Sequence, residues 1–140
     1  MADTNVDRYE QALEAFRQQG YEGLIPYFDE RIEVYDPDLP GGDSHHGHSG
    51  ARRVLAQLLE GFERVEIRDY ELHPVGDRVV GLFHTYMRGR AGMEIEIRDA
   101  HTWTFRDGNV VYWRLYLDQA EALADAGLAR SASRFSAASS

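Results

Sequence analysis

The chain predicts an α+β fold in which a long, curved antiparallel sheet packs against helices drawn from its N-terminal half. Three observations predict it. Helical periodicity with one inserted strand fills the first sixty or so residues. Two-residue alternation governs most of residues 65–117. Turn signals at Gly76-Asp77, Arg88–Gly92 and Asp107-Gly108 break that alternating half into a meander. Helices on one face of such a sheet leave a cavity between the layers, open at one end.

Each element has its own signature. Val6, Tyr9, Leu13 and Phe16 recur at helical spacing, with Thr4 or Asn5 as cap and Gly20 as stop. A second helix over 21–28 must be short or irregular, because Pro26 sits late in it. Ile32, Val34 and Asp36 alternate with Glu33 and Tyr35 as a strand that Pro37 ends. Residues 37–50 read as a loop rich in Pro, Gly and His. Ser49 can cap a third helix whose apolar positions are Val54, Leu55, Leu58, Leu59 and Phe62. Val65 and Ile67 keep one strand phase while Tyr70 and Leu72 keep the other, so a bulge is expected near Arg68-Asp69. The next strand runs from Arg78 to Met87.

The last two strands are the clearest. Met93, Ile95, Ile97, Asp99, His101, Trp103 and Phe105 share one face of the fourth. The fifth sets Val111, Trp113, Leu115 and Leu117 against Tyr112, Arg114, Tyr116 and Asp118. Asp118, with Glu121 three residues on, caps a final helix over 119–126.

Length and composition set the limits. The 140 residues fit one domain over 1–128, followed by a Ser/Ala-rich tail over 129–140 that is expected to be disordered. The chain has no cysteine, which excludes a disulfide framework, a thiolate nucleophile and a zinc–thiolate site. Acids number 24 against 15 bases, a net charge of −9, which argues against a nucleic-acid partner. No apolar run approaches the roughly 18 residues of a membrane span, and the polar, acidic start is no signal peptide. A cytoplasmic protein is expected.

One conflict in the pattern points to chemistry. Asp99 and His101 interrupt an apolar strand face, where unpaired polar groups cost about 1–3 kcal/mol. Two residues apart on one face, they stand about 7 Å apart at Cα, within reach of a side-chain hydrogen bond. A carboxylate beside an imidazole fixes its tautomer and favours its charged form, which makes an acid or an oxyanion donor. The alternative is a satisfied polar pair at a cavity mouth. Asp36 keeps the inward phase of Ile32 and Val34, where desolvation would suit it to act as a base. It could equally begin the turn before Pro37.

Trp103, Trp113, Leu115 and Leu117 are expected on the sheet side of the cavity, and Leu13, Phe16, Leu55, Leu59 and Phe62 on the helix side. A pocket so lined takes a small apolar or aromatic molecule. His45, His46 and His48 do not suggest a metal, because adjacent side chains in an extended chain point apart and Asp43 is the one nearby carboxylate. They read as exposed loop residues or part of a lid. Tyr112, Arg114 and Tyr116 on the outer sheet face suggest an interface.

Three stretches together resemble a known family: the segment ending Tyr35-Asp36-Pro37, the Gly47-His48-Ser49-Gly50 approach to the third helix, and the run from His101 through Trp103 and Asp107-Gly108 to Asp118. They resemble the SnoaL-like branch of the nuclear transport factor two superfamily, the cone fold with an internal pocket that ketosteroid isomerase and polyketide cyclases share. The resemblance spans residues 5–128 and implies a sheet wrapped around N-terminal helices. It implies that Asp36-Pro37 matches the isomerase's Asp-Pro pair, with Asp36 as base. If the last hairpin is a three-residue loop with Gly108 in its left-handed position, His101 falls where that isomerase has its oxyanion-hole acid. Asp99 would then orient His101. The implied chemistry is an isomerisation or cyclisation without cofactor, in a homodimer joined through the outer face. The chain also departs from the pattern. The isomerase's helix-one tyrosine should fall near Leu13, with Tyr9 one turn earlier as its substitute. The cyclases' last-strand aspartate is replaced by Leu115, and the arginine and aspartate of the epoxide hydrolases are missing, with Phe83 and Thr85 in that stretch. A binding module without turnover is the second reading, and a dimeric scaffold whose cavity is filled by its own side chains is the third.

Overall fold

A computed structural model describes residues 4–37 and 44–128. The expected tail and Asp43 lie outside the described residues. Helix α1 spans Asn5–Gln19. Thr4 caps it in a reciprocal box with Asp7, and Gly20, at φ 74°, ends it. Gly20–Tyr27 is a 3-10 helix containing Pro26, the irregular element expected there. A Cβ at Gly23 would stand 2.4 Å from the Ala15 carbonyl oxygen, so only glycine lets this segment fold back onto α1.

Strand β1 (Phe28–Tyr35) follows, then a three-residue strand β2 (Ser44–His46) and helix α2 (Gly47–Leu59). Both β2 and the start of α2 correct the expected loop over 37–50. Val34 pairs with His45, and His46, not Ser49, stands at the N-cap of α2. His48 reaches back to the Phe28 carbonyl at 2.9 Å. The meander is β3 (Phe62–Val75), β4 (Arg78–Gly89), β5 (Glu94–Arg106) and β6 (Asn109–Tyr116), and α3 (Gln119–Asp125) ends the described fold. The expected bulge is present as a register shift between Ile67 and Asp69.

The six strands form one sheet in the order β2-β1-β6-β5-β4-β3. It is mixed rather than wholly antiparallel, because β1 and β6 run parallel. A parallel pair needs a long crossover, and more than seventy residues between β1 and β6 supply one. The β5–β6 hairpin also differs from expectation. Its loop is the two residues Asp107 and Gly108, both at positive φ, and the register shifts next at Thr104/Phe105.

The main core joins Tyr9, Ala12 and Leu13 of α1 and Val54 and Leu55 of α2 to Val79, Phe83, Trp103 and Trp113 of the sheet. A second cluster packs Ala122 and Leu123 of α3 onto Val80, Ala100 and Tyr116. Neighbours in a strand point to opposite faces, so α3 covers the face opposite α1 and α2. Part of the expected dimer face is thus used within the chain: Tyr116 is buried, and its hydroxyl donates to Asp125 at 2.8 Å. No helix among the described residues is long and apolar enough to cross a membrane.

Gly81 is where α1 meets the sheet most closely. A Cβ there would stand 2.6 Å from both the Tyr9 hydroxyl and the Phe83 ring. Gly81→Ala is expected to destabilise the fold by about 1–3 kcal/mol through overpacking. Urea unfolding of the variant against the parent measures this.

Candidate functional site

A cavity of about 300 Å³ lies between the helices and the sheet. Tyr9, Leu13 and Phe16 of α1 and Leu55, Leu58 and Leu59 of α2 form one wall. The opposite wall alternates along the strands, as Phe62, Val65 and Ile67 of β3 and Phe83, Thr85 and Met87 of β4. Strand β5 contributes Ile95, Ile97, Asp99, His101 and Trp103, its complete inward phase from residue 95 to residue 103. Trp113 is the β6 residue on the wall.

Polar groups gather at one place. The Asp99 Oδ2 and His101 Nε2 atoms are 3.1 Å apart. The Trp113 indole N–H donates to His101 Nδ1 at 3.0 Å. An indole nitrogen is a donor only, so His101 Nδ1 presents its lone pair and the ring proton sits on Nε2, facing Asp99. The chain of bonds therefore runs from indole to imidazole to carboxylate. Asp99 Oδ1 and the Trp103 indole nitrogen are shielded and have no hydrogen-bond partner among the described residues.

Tyr9 fixes the backbone of this site. It is fully buried, stacks on Trp103 with ring centroids 4.0 Å apart, and donates its hydroxyl to the His101 carbonyl at 2.7 Å. Burial, then the charge of Asp99, pushes its phenol well above the ordinary tyrosine range.

These features agree with the comparisons. A family model for the SnoaL-like domain matches residues 9–113, three-quarters of the chain. The chain belongs to the SnoaL-like family. No curated protein matches this SnoaL-like chain. Solved structures show the shared fold. An NTF2-like protein of unknown function from Burkholderia pseudomallei is 20% identical with a TM-score of 0.72, over 88% of this chain and 97% of that one. TerC, co-crystallised with polyporic acid, is 22% identical with a TM-score of 0.70, over 90% and 98%. A candidate SnoaL-like polyketide cyclase from Jannaschia sp. CCS1 is 19% identical with a TM-score of 0.65, over 83% and 88%.

The structure brings Asp99, His101, Trp103, Trp113, Tyr9, Leu13, Phe16, Leu55 and Phe62 to one cavity. It leaves out three residues expected there. Asp36 points inward and is 5% exposed, but it is not on the cavity wall. It follows Tyr35, which pairs with Arg114, and so lies level with Leu115 across β1 and β6. Leu115 is packed into the core, where it pairs with His101, and also stays off the wall. Leu117 is 71% exposed because β6 ends at Tyr116 and the chain turns into α3. Phe62 reaches the wall as the first residue of β3 and not from the third helix, which ends at Leu59. Sequence reasoning missed Val65 and Ile67 of β3 and the wall residues of β4, although the Val65/Ile67 phase carries the signal.

A phenol whose pKa is raised in the folded state stabilises that state fully below the unfolded value of about 10 and loses this contribution at higher pH. Tyr9, with Tyr116 pushed up to about 12 by burial and its bond to Asp125, gives the domain such an alkaline limb. Stability is expected to hold from pH 8 to about 10 and to fall above it. Tyr9→Phe should be less stable by about 1 kcal/mol near neutrality and show a shallower alkaline fall. Urea unfolding across that range measures both.

Proposed function

We propose that the cavity binds a small apolar or aromatic molecule and that Asp99 moves a proton on it without a cofactor, as an isomerase or cyclase does. One observation carries this reading: an indole–imidazole–carboxylate chain is set in a mostly apolar wall, and its carboxylate is part of the cavity lining while one of its oxygens, shielded as the chain stands, has no partner among the described residues. A buried acceptor left unpaired costs about 1–3 kcal/mol, which a ligand offsets if its binding turns the Asp99 carboxylate to meet a donor or a proton.

The roles differ from those expected of the sequence. Asp99 lines the cavity and Asp36 does not, so Asp99 is the better placed base. His101 spends its N–H on Asp99 and acts as the positioning group. The step balances without a redox partner. The C–H bond next to a ligand carbonyl breaks, its proton goes to Asp99, and its electron pair moves onto the carbonyl oxygen as an enolate. Return of the proton to another carbon completes an isomerisation. Binding without turnover is the second reading. What favours it is that two donors beside Asp99 are engaged, the Tyr9 hydroxyl with the His101 carbonyl and the His101 N–H with Asp99 itself, while the Trp103 indole N–H is shielded. That leaves none of them free to meet an enolate oxygen.

A thermal-shift screen of cyclic ketones and aromatic polyketide-like compounds finds the ligand class. Ligands that bind are then followed for exchange of the α-proton in D₂O by NMR. Asp99→Asn is expected to slow exchange at least about 100-fold with the melting temperature little changed. Binding without exchange in the parent leaves the binding module. Exchange that survives in Asp99→Asn, and is lost in Asp36→Asn, returns the base role to Asp36.

The outer face left open by α3 carries Tyr35, Tyr112 and Arg114, with the Arg114 guanidinium 4.8 Å from the Tyr35 ring and 4.5 Å from that of Tyr116. Pairing of two copies through this face belongs to the same proposal. Light scattering should then give twice the 16.0 kDa chain mass, and Tyr112→Glu should halve it.

A further inference from the structure

We propose that Trp113 is a positioning residue that fixes His101 as a neutral hydrogen-bond donor, and that the cavity therefore takes neutral apolar ligands carrying a donor group and rejects anions. The ligand half of this inference rests on the proposed ligand binding; the Trp113 half does not.

The geometry leaves one arrangement of protons. The Trp113 nitrogen donates at 3.0 Å, so His101 Nδ1 must accept. Turning the imidazole over would set C–H groups against both Trp113 and Asp99 and lose two hydrogen bonds. An imidazolium would put a second N–H head-on against the indole N–H. The indole is the fixed partner of the two, since His101 borders the cavity and Trp113 does so from within the core. Trp113 is 2% exposed and packs on Phe28 with centroids 5.6 Å apart, and His101 lies edge-on to Phe83 at 5.5 Å. The groups facing His101 are Asp99 from its own strand, Trp113 from β6, and Tyr9 from α1. Strand β4 faces it with Gly81 and Phe83, which carry no charge. Asp36, beyond β6 on β1, is off the cavity wall.

Neutral His101 leaves the charge of Asp99 unbalanced. No lysine or arginine lines the cavity among the described residues. In a weakly polar cavity an uncompensated carboxylate repels a second anion strongly. A ligand N–H or O–H that meets the Asp99 carboxylate, turned from the position in which Oδ1 is shielded, gives it a hydrogen bond that this oxygen lacks among the described residues. Without the indole bond, His101 could hold protons on both nitrogens and pair with Asp99 at zero net charge, and the penalty on anions would fall.

Two experiments on the full chain test this. The first records long-range ¹H–¹⁵N spectra of His101 at pH 6. The parent is expected to show one pyridine-type and one pyrrole-type nitrogen, with a scalar coupling across the hydrogen bond from Trp113 Nε1. Trp113→Phe is expected to show two pyrrole-type nitrogens. Two pyrrole-type nitrogens in the parent, or no coupling, overturn the role of Trp113. The parent spectrum alone decides this, even if the variant fails to fold.

The second titrates N-phenyl-1-naphthylamine, a neutral N–H donor, and 1-anilinonaphthalene-8-sulfonate, the same framework with an anion. The parent is expected to bind the neutral probe at least about ten-fold more tightly, and Asp99→Asn to close most of that gap. Equal affinities in the parent, or a gap that survives Asp99→Asn, overturn the selectivity. Failure of both probes to bind overturns the ligand-binding reading and the selectivity with it, while the spectra still decide the role of Trp113.

Discussion

The Tyr9 side chain is the constraint on which the rest of the site depends. It ties the helical layer to the sheet by a directed bond as well as by packing, as His48 of α2 does at the Phe28 carbonyl. The Tyr9 ring lies flat on Trp103 and its hydroxyl reaches the His101 carbonyl. That single residue sets the height of α1 above β5 and holds the backbone from which the His101 imidazole projects. The arrangement needs Gly81 on the adjacent strand, because any side chain there would occupy the place of the Tyr9 hydroxyl. A stacked aromatic pair is worth about 0.5–1.5 kcal/mol beyond its burial. The hydrogen bond adds about as much again. Their larger effect is to fix geometry, since a cavity wall built on a sliding helix could not hold a site in place.

The polar chain beside Tyr9 is the one costly feature of an otherwise apolar wall. An aspartate, a histidine and two tryptophans on the inward faces of β5 and β6 bring several polar atoms into a weakly polar space. Most of the cost is met internally, because the Trp113 indole, the His101 imidazole and one Asp99 oxygen satisfy one another. The second Asp99 oxygen and the Trp103 indole nitrogen are not satisfied among the described residues. A fold selected for stability alone would place leucine or valine at residue 99, which keeps the inward phase without a carboxylate. The unmet part of the network is therefore where function is to be sought.

Much of this was legible in the sequence, for a physical reason. A strand points successive side chains to opposite faces, so the inward row Ile95, Ile97, Asp99, His101 and Trp103 could be read directly from alternation, and so could the neighbourhood of Asp99 and His101. The slip between Ile67 and Asp69 showed as a break in phase. What alternation cannot give is position along the cavity. Asp36 has the inward phase expected of it, yet the wall does not extend to β1. Leu117 has the right phase in a strand that ends one residue too soon. The Trp113–His101 bond runs diagonally between β6 and β5, and its existence depends on a register set by the two-residue hairpin and the shift at Thr104/Phe105. Strand β2 is three residues long and takes its structure from β1 rather than from any pattern of its own.

The unequal lengths of the strands explain why a cavity exists at all. Strands β3, β4 and β5 run for 14, 12 and 13 residues, whereas β1 and β6 run for 8 each. Helices α1 and α2 pack tightly where the short strands lie, around Val34, Trp113 and Val54. Along the longer strands the inward apolar residues continue through Ile67, Ile97, Val65 and Ile95, and these are only partly buried. The sheet thus presents more apolar surface than the described helices cover. Such an excess is what the proposed binding of an apolar molecule draws on, and the Asp99–His101 pair lies on the same wall as this uncovered strip. In the proposed function, binding energy comes from the strip and chemical selection from the carboxylate. The two can be altered independently, because the residues of the strip lie on β3 and on the first half of β5, apart from the bonds that hold His101.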